Sequence, residues 1–252
     1  MLFDISCLTG SWAFRKLAIQ TLPDLKKHLE SLGISGAAVS HNHAVFYQNC
    51  HDGNLELAEE LAQCKLQDYF APVAILNPTY AVWERDLEFC VKTLGFKALK
   101  LVPKYHDYEL SSNACSEIMA AAAELDIPVM IPMEMVNFRQ RHHMEPLTPL
   151  SLGAIAEQAK KVPQAKVIVI GAPVADMDYP ENLYFEISRS RSCYSPTMPL
   201  LKERIGAERI LFGSGAPMRE VEPALLKFNH ADFTAEEREL VAWKNAARLL
   251  KL

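Results

Sequence analysis

The chain has no run of Lys and Arg of the kind that tracks a phosphate backbone, so nucleic acid is not expected as a partner. It has no apolar stretch near the ~20 residues that a bilayer-spanning helix needs, and no membrane partner is expected. The opening MLFDISC has no basic segment ahead of an apolar one, so no secretory leader is expected and the cytoplasm is the expected location. Six cysteines are present without a C-x-x-C pair. Scattered thiols without a secretory signal read as free side chains in a reducing compartment rather than as a disulfide framework. Linkers, repeats and low-complexity tracts are also missing, which leaves a single domain over residues 1–252.

What is present suits a globular enzyme-sized domain. Half of the 252 residues are hydrophobic, enough for a sizeable core, and the net charge is a modest −5. Short apolar runs alternate with amphipathic helical patterns along the whole chain. The runs are Leu2–Cys7, Gly36–Ser40, Phe70–Leu76, Ala98–Val102, Val129–Met133, Val167–Ile170, Tyr184–Ile187 and Ile210–Phe212. They lack clean apolar/polar alternation, as parallel strands covered on both faces do. Helical patterns fall at Leu22–Leu32, Asn54–Cys64, Tyr80–Thr93, Ser112–Leu125 and Leu150–Lys161, with a closing helix from Thr234 to Leu252. Leu-Pro-Asp at 22–24 reads as a helix start, and Thr234 followed by Glu236 and Glu237 reads as a cap with acidic residues at the positive end of the dipole. The stretch 176–182 is too short for a full helix. Eight such strands predict a (β/α)8 barrel over a doubly wound sheet.

Four segments carry a family resemblance: FDISCLTG (Phe3–Gly10), IPVMIPME (Ile127–Glu134), AKVIVIGAP (Ala165–Pro173) and RILFGSGAP (Arg209–Pro217). With GFKALKLVP (Gly95–Pro103) and the ending KNAARLL (Lys244–Leu250), they resemble the amidohydrolase-2 family of metal-dependent hydrolases, barrels of the amidohydrolase superfamily. In that family the four segments read D-x-H-x-H-x-G, P-V-x-x-H, a terminal His, and G-S-D. The resemblance implies a metal held by histidines of strands one, five and six and by an aspartate of strand eight, which also serves as general base. Here the matching positions are Ser6, Leu8, Pro132, Gly171 and Gly215. Leu, Pro and Gly side chains offer no lone pair, and a serine hydroxyl is a poor ligand. No metal is expected at the usual place and no other cofactor is expected.

The chemistry-bearing residues left at strand ends are the candidates. Asp4 matches the aspartate of the first motif, either as a catalytic carboxylate or as a backbone-binding one. Lys100 matches a family lysine and could pair with Asp4 or Glu134. His41 and His43 stand two apart after the second strand, on one side of an extended segment. They are candidates for proton transfer, or for a relocated metal with Glu134 or His142 as a further ligand. The loop from Met133 to Pro146 adds Arg139, His142 and His143, and strand seven ends with Arg189 and Arg191. Arginines converging on one face suit a carboxylate or phosphate, so a small anion is the expected ligand. Asp4, His41, His43, Lys100 and Glu134 are thus candidate catalytic groups, and Arg139, His142, Arg189 and Ser214 candidate substrate contacts. A serine or cysteine nucleophile at Ser6, Cys7, Ser188, Cys193 or Ser214 lacks the G-x-S-x-G elbow.

Three readings follow. The chain is a metal-independent hydrolase or decarboxylase-type lyase of a small carboxylate-bearing compound. Or it is a pseudoenzyme that keeps the pocket and binds a metabolite or partner protein. Or a metal has moved to His41 and His43. Pairing into a homo-oligomer through outer helices is open.

Overall fold

Each of the eight apolar runs forms a strand, and the strands pair in sequence order, all parallel. The computed structural model describes residues 1–190 and 197–252. The strands are β1 (Phe3–Thr9), β2 (Gly36–His41), β3 (Phe70–Ile75), β4 (Ala98–Lys100), β5 (Val129–Pro132), β6 (Val167–Ile170), β7 (Leu183–Glu186) and β8 (Ile210–Leu211). The Ile5 N–H donates to the Phe212 carbonyl at 3.0 Å and Leu8 N–H to Ala216 at 2.8 Å, which brings β1 against the end of β8. The result is a nearly closed (β/α)8 barrel, as the sequence predicts.

Around it run α1 (Leu22–Ser31), α2 (His43–Phe46), α3 (Cys50–Cys64), α4 (Trp83–Lys92), α5 (Pro103–His106) and α6 (Asn113–Glu124). They continue with α7 (Leu152–Lys161), α8 (Thr197–Ile205), α9 (Glu222–His230), α10 (Ala235–Glu239) and α11 (Asn245–Leu250). Among the described residues no helix lies between β6 and β7, and none is long and apolar enough to cross a membrane. Several boundaries differ from the expectation. β1 runs on to Thr9 with a register shift between Asp4 and Cys7. β4 stops at Lys100 because Pro103 starts α5. The closing helix is interrupted by a π turn at Leu240–Lys244, although its start is capped as expected, with Thr234 and Glu237 satisfying each other's backbone N–H groups. The helices at Thr197–Ile205 and Glu222–His230 lie outside the expected helical patterns, although Glu222 and Pro223 mark the start of the second.

Side-chain alternation decides what reaches the barrel axis. One set of strand residues packs outward beneath the helices, among them Ala37, Val39, Leu99, Ile131 and Phe185. The other set turns inward: Phe3, Ile5, Ala38, Val73, Ala98, Met130, Ile168 and Leu211 form a separate cluster against Leu249 and Leu250 of α11. Burying each Ile, Leu or Met of such a plug contributes about 1.5–3 kcal/mol. Two residues further along the same faces stand Ser40, Lys100 and Glu186, all buried. The barrel is therefore apolar at its N-terminal end and polar toward the C-terminal ends of the strands, where barrels of this architecture assemble their chemistry.

Candidate active site

The strand ends hold a cluster of buried charges built on backbone hydrogen bonds. Asp4 Oδ1 accepts from the Ser6 N–H at 3.0 Å and from the Ser214 N–H at 3.1 Å. Burial pushes its carboxyl above the usual carboxylate range. Ser6 Oγ accepts from the Gly215 N–H at 3.1 Å, and Ser214 Oγ accepts from the Ala216 N–H at 3.0 Å. On β7, Glu186 Oε2 accepts from the Gly171 N–H (2.9 Å) and the Ser188 hydroxyl (2.7 Å), while Oε1 accepts from the Ser188 N–H (2.6 Å). Burial raises the Glu186 pKa as well. Lys100 does not pair with Asp4 or Glu134 as anticipated: its ammonium donates to Ser40 Oγ at 2.5 Å, and burial pulls it down to about 8.

Two arginines occupy the space above this layer. Gly171 has φ +75°, and a Cβ there would fall 2.9 Å from Arg189 Cδ. Gly215 has φ +76°, and a Cβ there would fall 3.2 Å from Arg219 Cδ. The glycines thus accommodate guanidinium stems where the family pattern places a histidine and an aspartate. Arg189 is ion-paired with Glu134, and Arg219 Nη2 lies 3.9 Å from the same carboxylate oxygen. Burial, and next the Arg219 charge, pushes Arg189 down to about 9. Arg189 Nε and Nη2 are buried and have no hydrogen-bond acceptor among the described residues.

A cavity of about 490 Å³ is lined by Arg15, Arg139, Ser188, Ser214 and Arg219; Arg189 follows Ser188 in the chain but is not itself on the cavity wall. Arg139 and Ser214 therefore line the same cavity. His142 does not line it. Its backbone N–H donates to Glu145 at 2.7 Å, and its ring stacks on Phe14 at 5.2 Å, a contact that ties the loop after β5 to the loop after β1. Arg191 and Cys193 lie outside the described residues.

The two histidines after β2 do not share a strand face. His41 ends the strand, whereas His43 begins α2, because the chain turns at Asn42. Their rings still meet edge-on at 4.5 Å. The third group that joins them is Glu56 of α3, not Glu134 or His142: its Oε2 lies 2.7 Å from His43 Nδ1 and 3.6 Å from His41 Nδ1. One potential ligand atom from each of the three lies within 4.8 Å of the others.

Burial and then the neighbouring His43 push His41 down to about 4, and burial alone takes His106 of α5 to about 4. Both imidazoles have ordinary values near 6.5 when unfolded, so between pH 6.5 and 4 the unfolded chain binds more protons and stability falls as pH falls. Asp4 and Glu186, with raised values, act in the opposite sense, so a variant is needed to isolate one term. On going from pH 7 to 4.5, wild type is expected to lose about 1–3 kcal/mol more than His106→Asn in urea unfolding. Equal losses would show that His106 titrates normally.

The amidohydrolase family profile matches residues 23–252. The chain belongs to that family. The match begins after β1, so the altered first motif lies outside it. No curated protein sequence matches the chain. Among solved structures, a dihydroxybenzoic acid decarboxylase from Polaromonas sp. JS666 with bound manganese is 19% identical, with a TM-score of 0.74, covering 100% of this chain and 98% of the other. A 5-carboxyvanillate decarboxylase from Sphingomonas paucimobilis gives 12%, 0.78, 100% and 99%. A 4-oxalomesaconate hydratase from Rhodopseudomonas palustris gives 17%, 0.69, 100% and 96%. These likenesses establish the fold.

The metal that the family implies does not fit the residues present at its usual place. Ser6 Oγ is engaged by a backbone N–H, Gly171 and Gly215 supply nothing, and two guanidinium groups bring positive charge to the spot. Restoring a ligand is expected to fail physically. Gly171→His must adopt a positive φ and displace Arg189, and is expected to cost roughly 2–4 kcal/mol without metal uptake, as read by urea unfolding and elemental analysis. A stable, metal-loaded variant would contradict this reading.

Four residues of these clusters escape sequence reasoning. Glu186 had a signal, an acidic residue ending an apolar strand run. Arg219, Glu56 and Ser11, whose hydroxyl lies 2.8 Å from His43 Nε2, sit in a loop, on a helix and in a turn with nothing in the pattern to mark them.

Proposed function

We propose that this amidohydrolase-family chain is a metal-independent enzyme that binds a small carboxylate-bearing compound at Arg189 and Arg219 and hydrolyses or decarboxylates it. The observation that carries the reading is the side of the Arg189 guanidinium formed by Nε and Nη2, buried and without an acceptor. Two parallel N–H groups fixed in this way match the two oxygens of a carboxylate. Arg139 and Arg15 on the cavity wall add to the attraction for an anion. The structural relatives named as decarboxylases of dihydroxybenzoic acid and of 5-carboxyvanillate make an aromatic acid a reasonable first class to test.

Gripping a carboxylate by two guanidiniums stabilises the ground state of that carboxylate, which opposes its departure as neutral CO2. The Arg189-bound group is therefore a handle, and bond breaking takes place elsewhere on the compound. Lys100, with a pKa of about 8, is able to take or give a proton near neutral pH. A non-catalytic binder is the second reading, favoured by the use of Asp4 and Glu186 to hold backbone amides. The five described cysteines are unpaired, which supports the reducing cytoplasm as the compartment.

The test is calorimetric titration of mono- and dicarboxylates, hydroxybenzoates among them, with product analysis of the same mixtures in the presence of a chelator. Binding with turnover supports the enzyme, binding without turnover the pseudoenzyme. Absence of any carboxylate binding removes both.

A further inference from the structure

The turn after β1, together with α2 and α3, makes a chain of hydrogen bonds outside the arginine centre. Ser11 Oγ lies 2.8 Å from His43 Nε2, and His43 Nδ1 lies 2.7 Å from Glu56 Oε2. One imidazole thus joins a hydroxyl at one nitrogen to a carboxylate at the other. A neutral ring in this position carries its proton on Nδ1, donates to Glu56, and leaves the Nε2 lone pair facing the serine O–H. The Tyr47 hydroxyl donates to Glu56 Oε1 at 2.8 Å and holds the carboxylate in place. Ser11 is exposed, and its backbone N–H has no hydrogen-bond acceptor among the described residues. It is therefore available to a carbonyl oxygen on which negative charge develops.

From this juxtaposition we propose that Ser11, His43 and Glu56 form a second reactive centre, a serine nucleophile that hydrolyses small carboxylic esters. Nucleophile, base and orienting acid stand in the mutual geometry that such chemistry requires, which is recognised by roles and distances and is independent of sequence order. Ser11 Oγ bonds to the acyl carbon as its proton passes to His43 Nε2. The C–O bond to the alcohol then breaks, and the departing oxygen takes that proton. Water, losing a proton to the same Nε2, adds to the acyl carbon; the acyl C–Oγ bond breaks, Ser11 Oγ takes that proton back, and the acid is released. His41, packed edge-on against His43, is kept neutral by burial and adds no charge that would oppose the imidazolium.

His41, His43 and Glu56 lie close enough for a divalent metal. Their lone pairs are already engaged, however: His41 Nδ1 accepts from the His43 N–H at 3.2 Å, and Glu56 accepts from Tyr47 and His43. A proton relay accounts for these contacts and for Ser11, which a metal reading leaves out.

The full chain would be treated with a fluorophosphonate ester. A P–O bond forms to Ser11 Oγ, fluoride leaves, and the proton passes through His43 to solvent. One adduct is expected, mapped to Ser11 by peptide mass, absent in Ser11→Ala and slowed roughly 10²–10⁴-fold in His43→Gln. Hydrolysis of 4-nitrophenyl acetate is expected to fall in parallel. Glu56→Gln, on the surface end of the relay, is expected to slow labelling by at least about tenfold. Thermal midpoints of the variants separate loss of reactivity from loss of fold. An unlabelled Ser11 in folded wild type overturns the proposal. So does one equivalent of divalent metal that is lost in His43→Gln while no adduct forms.

Discussion

Arg189→Met is expected to weaken binding of the carboxylate ligand by at least about 100-fold while the barrel stays folded. Charge-assisted hydrogen bonds contribute about 1.5–3 kcal/mol each, and the free Nε/Nη2 side of Arg189 offers two of them to one carboxylate. Losing both removes on the order of 3–4 kcal/mol, or 10²–10³ in dissociation constant. The fold tolerates the change because Glu134 keeps Arg219 as a partner, and methionine occupies much of the same stem volume over Gly171. Arg189→Lys retains a positive charge but not the planar fork, and is expected to sit between, at about tenfold. Calorimetry with the tightest acid from the panel measures all three proteins. Equal affinities for wild type and Arg189→Met would mean that the carboxylate binds elsewhere in the chain.

Glu186→Ala is expected to be the most destabilising single truncation in the polar layer, by about 3–5 kcal/mol. Its carboxylate is the acceptor for the buried Gly171 N–H and for the part-buried Ser188 N–H and hydroxyl. Removing it leaves the buried Gly171 N–H without a partner and takes a negative charge from beside Lys100 and Arg219. Such a loss is a large fraction of the about 5–15 kcal/mol that holds a typical domain together. Glu186→Gln keeps one acceptor oxygen and is expected to lose less. Urea unfolding with an unchanged m-value reads the difference. A loss below about 1 kcal/mol would show that solvent or a neighbouring group satisfies those amides. Because Glu186 ties the end of β6 to β7, its loss is also expected to loosen the ground on which Arg189 lies.

The barrel was legible because most of the βα units have their own local pattern of apolar run, breaker and amphipathic helix, the stretch between β6 and β7 being the exception. The boundaries that moved did so for local backbone reasons, such as Pro103 starting a helix three residues after the end of β4. The site was half legible. Missing ligands at Ser6, Leu8, Pro132, Gly171 and Gly215 are visible in one line of sequence, as are Asp4, Lys100, Glu134 and Arg189 near strand ends. Their partners were not. Lys100 was open to pairing with Asp4 or Glu134 and meets Ser40, while Glu134 meets Arg189 and Arg219. The His41/His43 spacing suggested a shared strand face, but the turn at Asn42 put one residue on a strand and the other on a helix.

By itself the sequence determined the architecture and the loss of the family's metal-binding side chains, since period, breakers and residue type are properties of the chain read in order. Only the tertiary structure decided what stands in their place. The stems of Arg189 and Arg219 reach Gly171 and Gly215 from 18 and 4 residues away, and Ser11 meets His43 across 32 residues and Glu56 meets it across 13. Closing the barrel brings such separate strand ends onto one rim. Which side chains then meet depends on loop paths and rotamers, which no periodicity encodes.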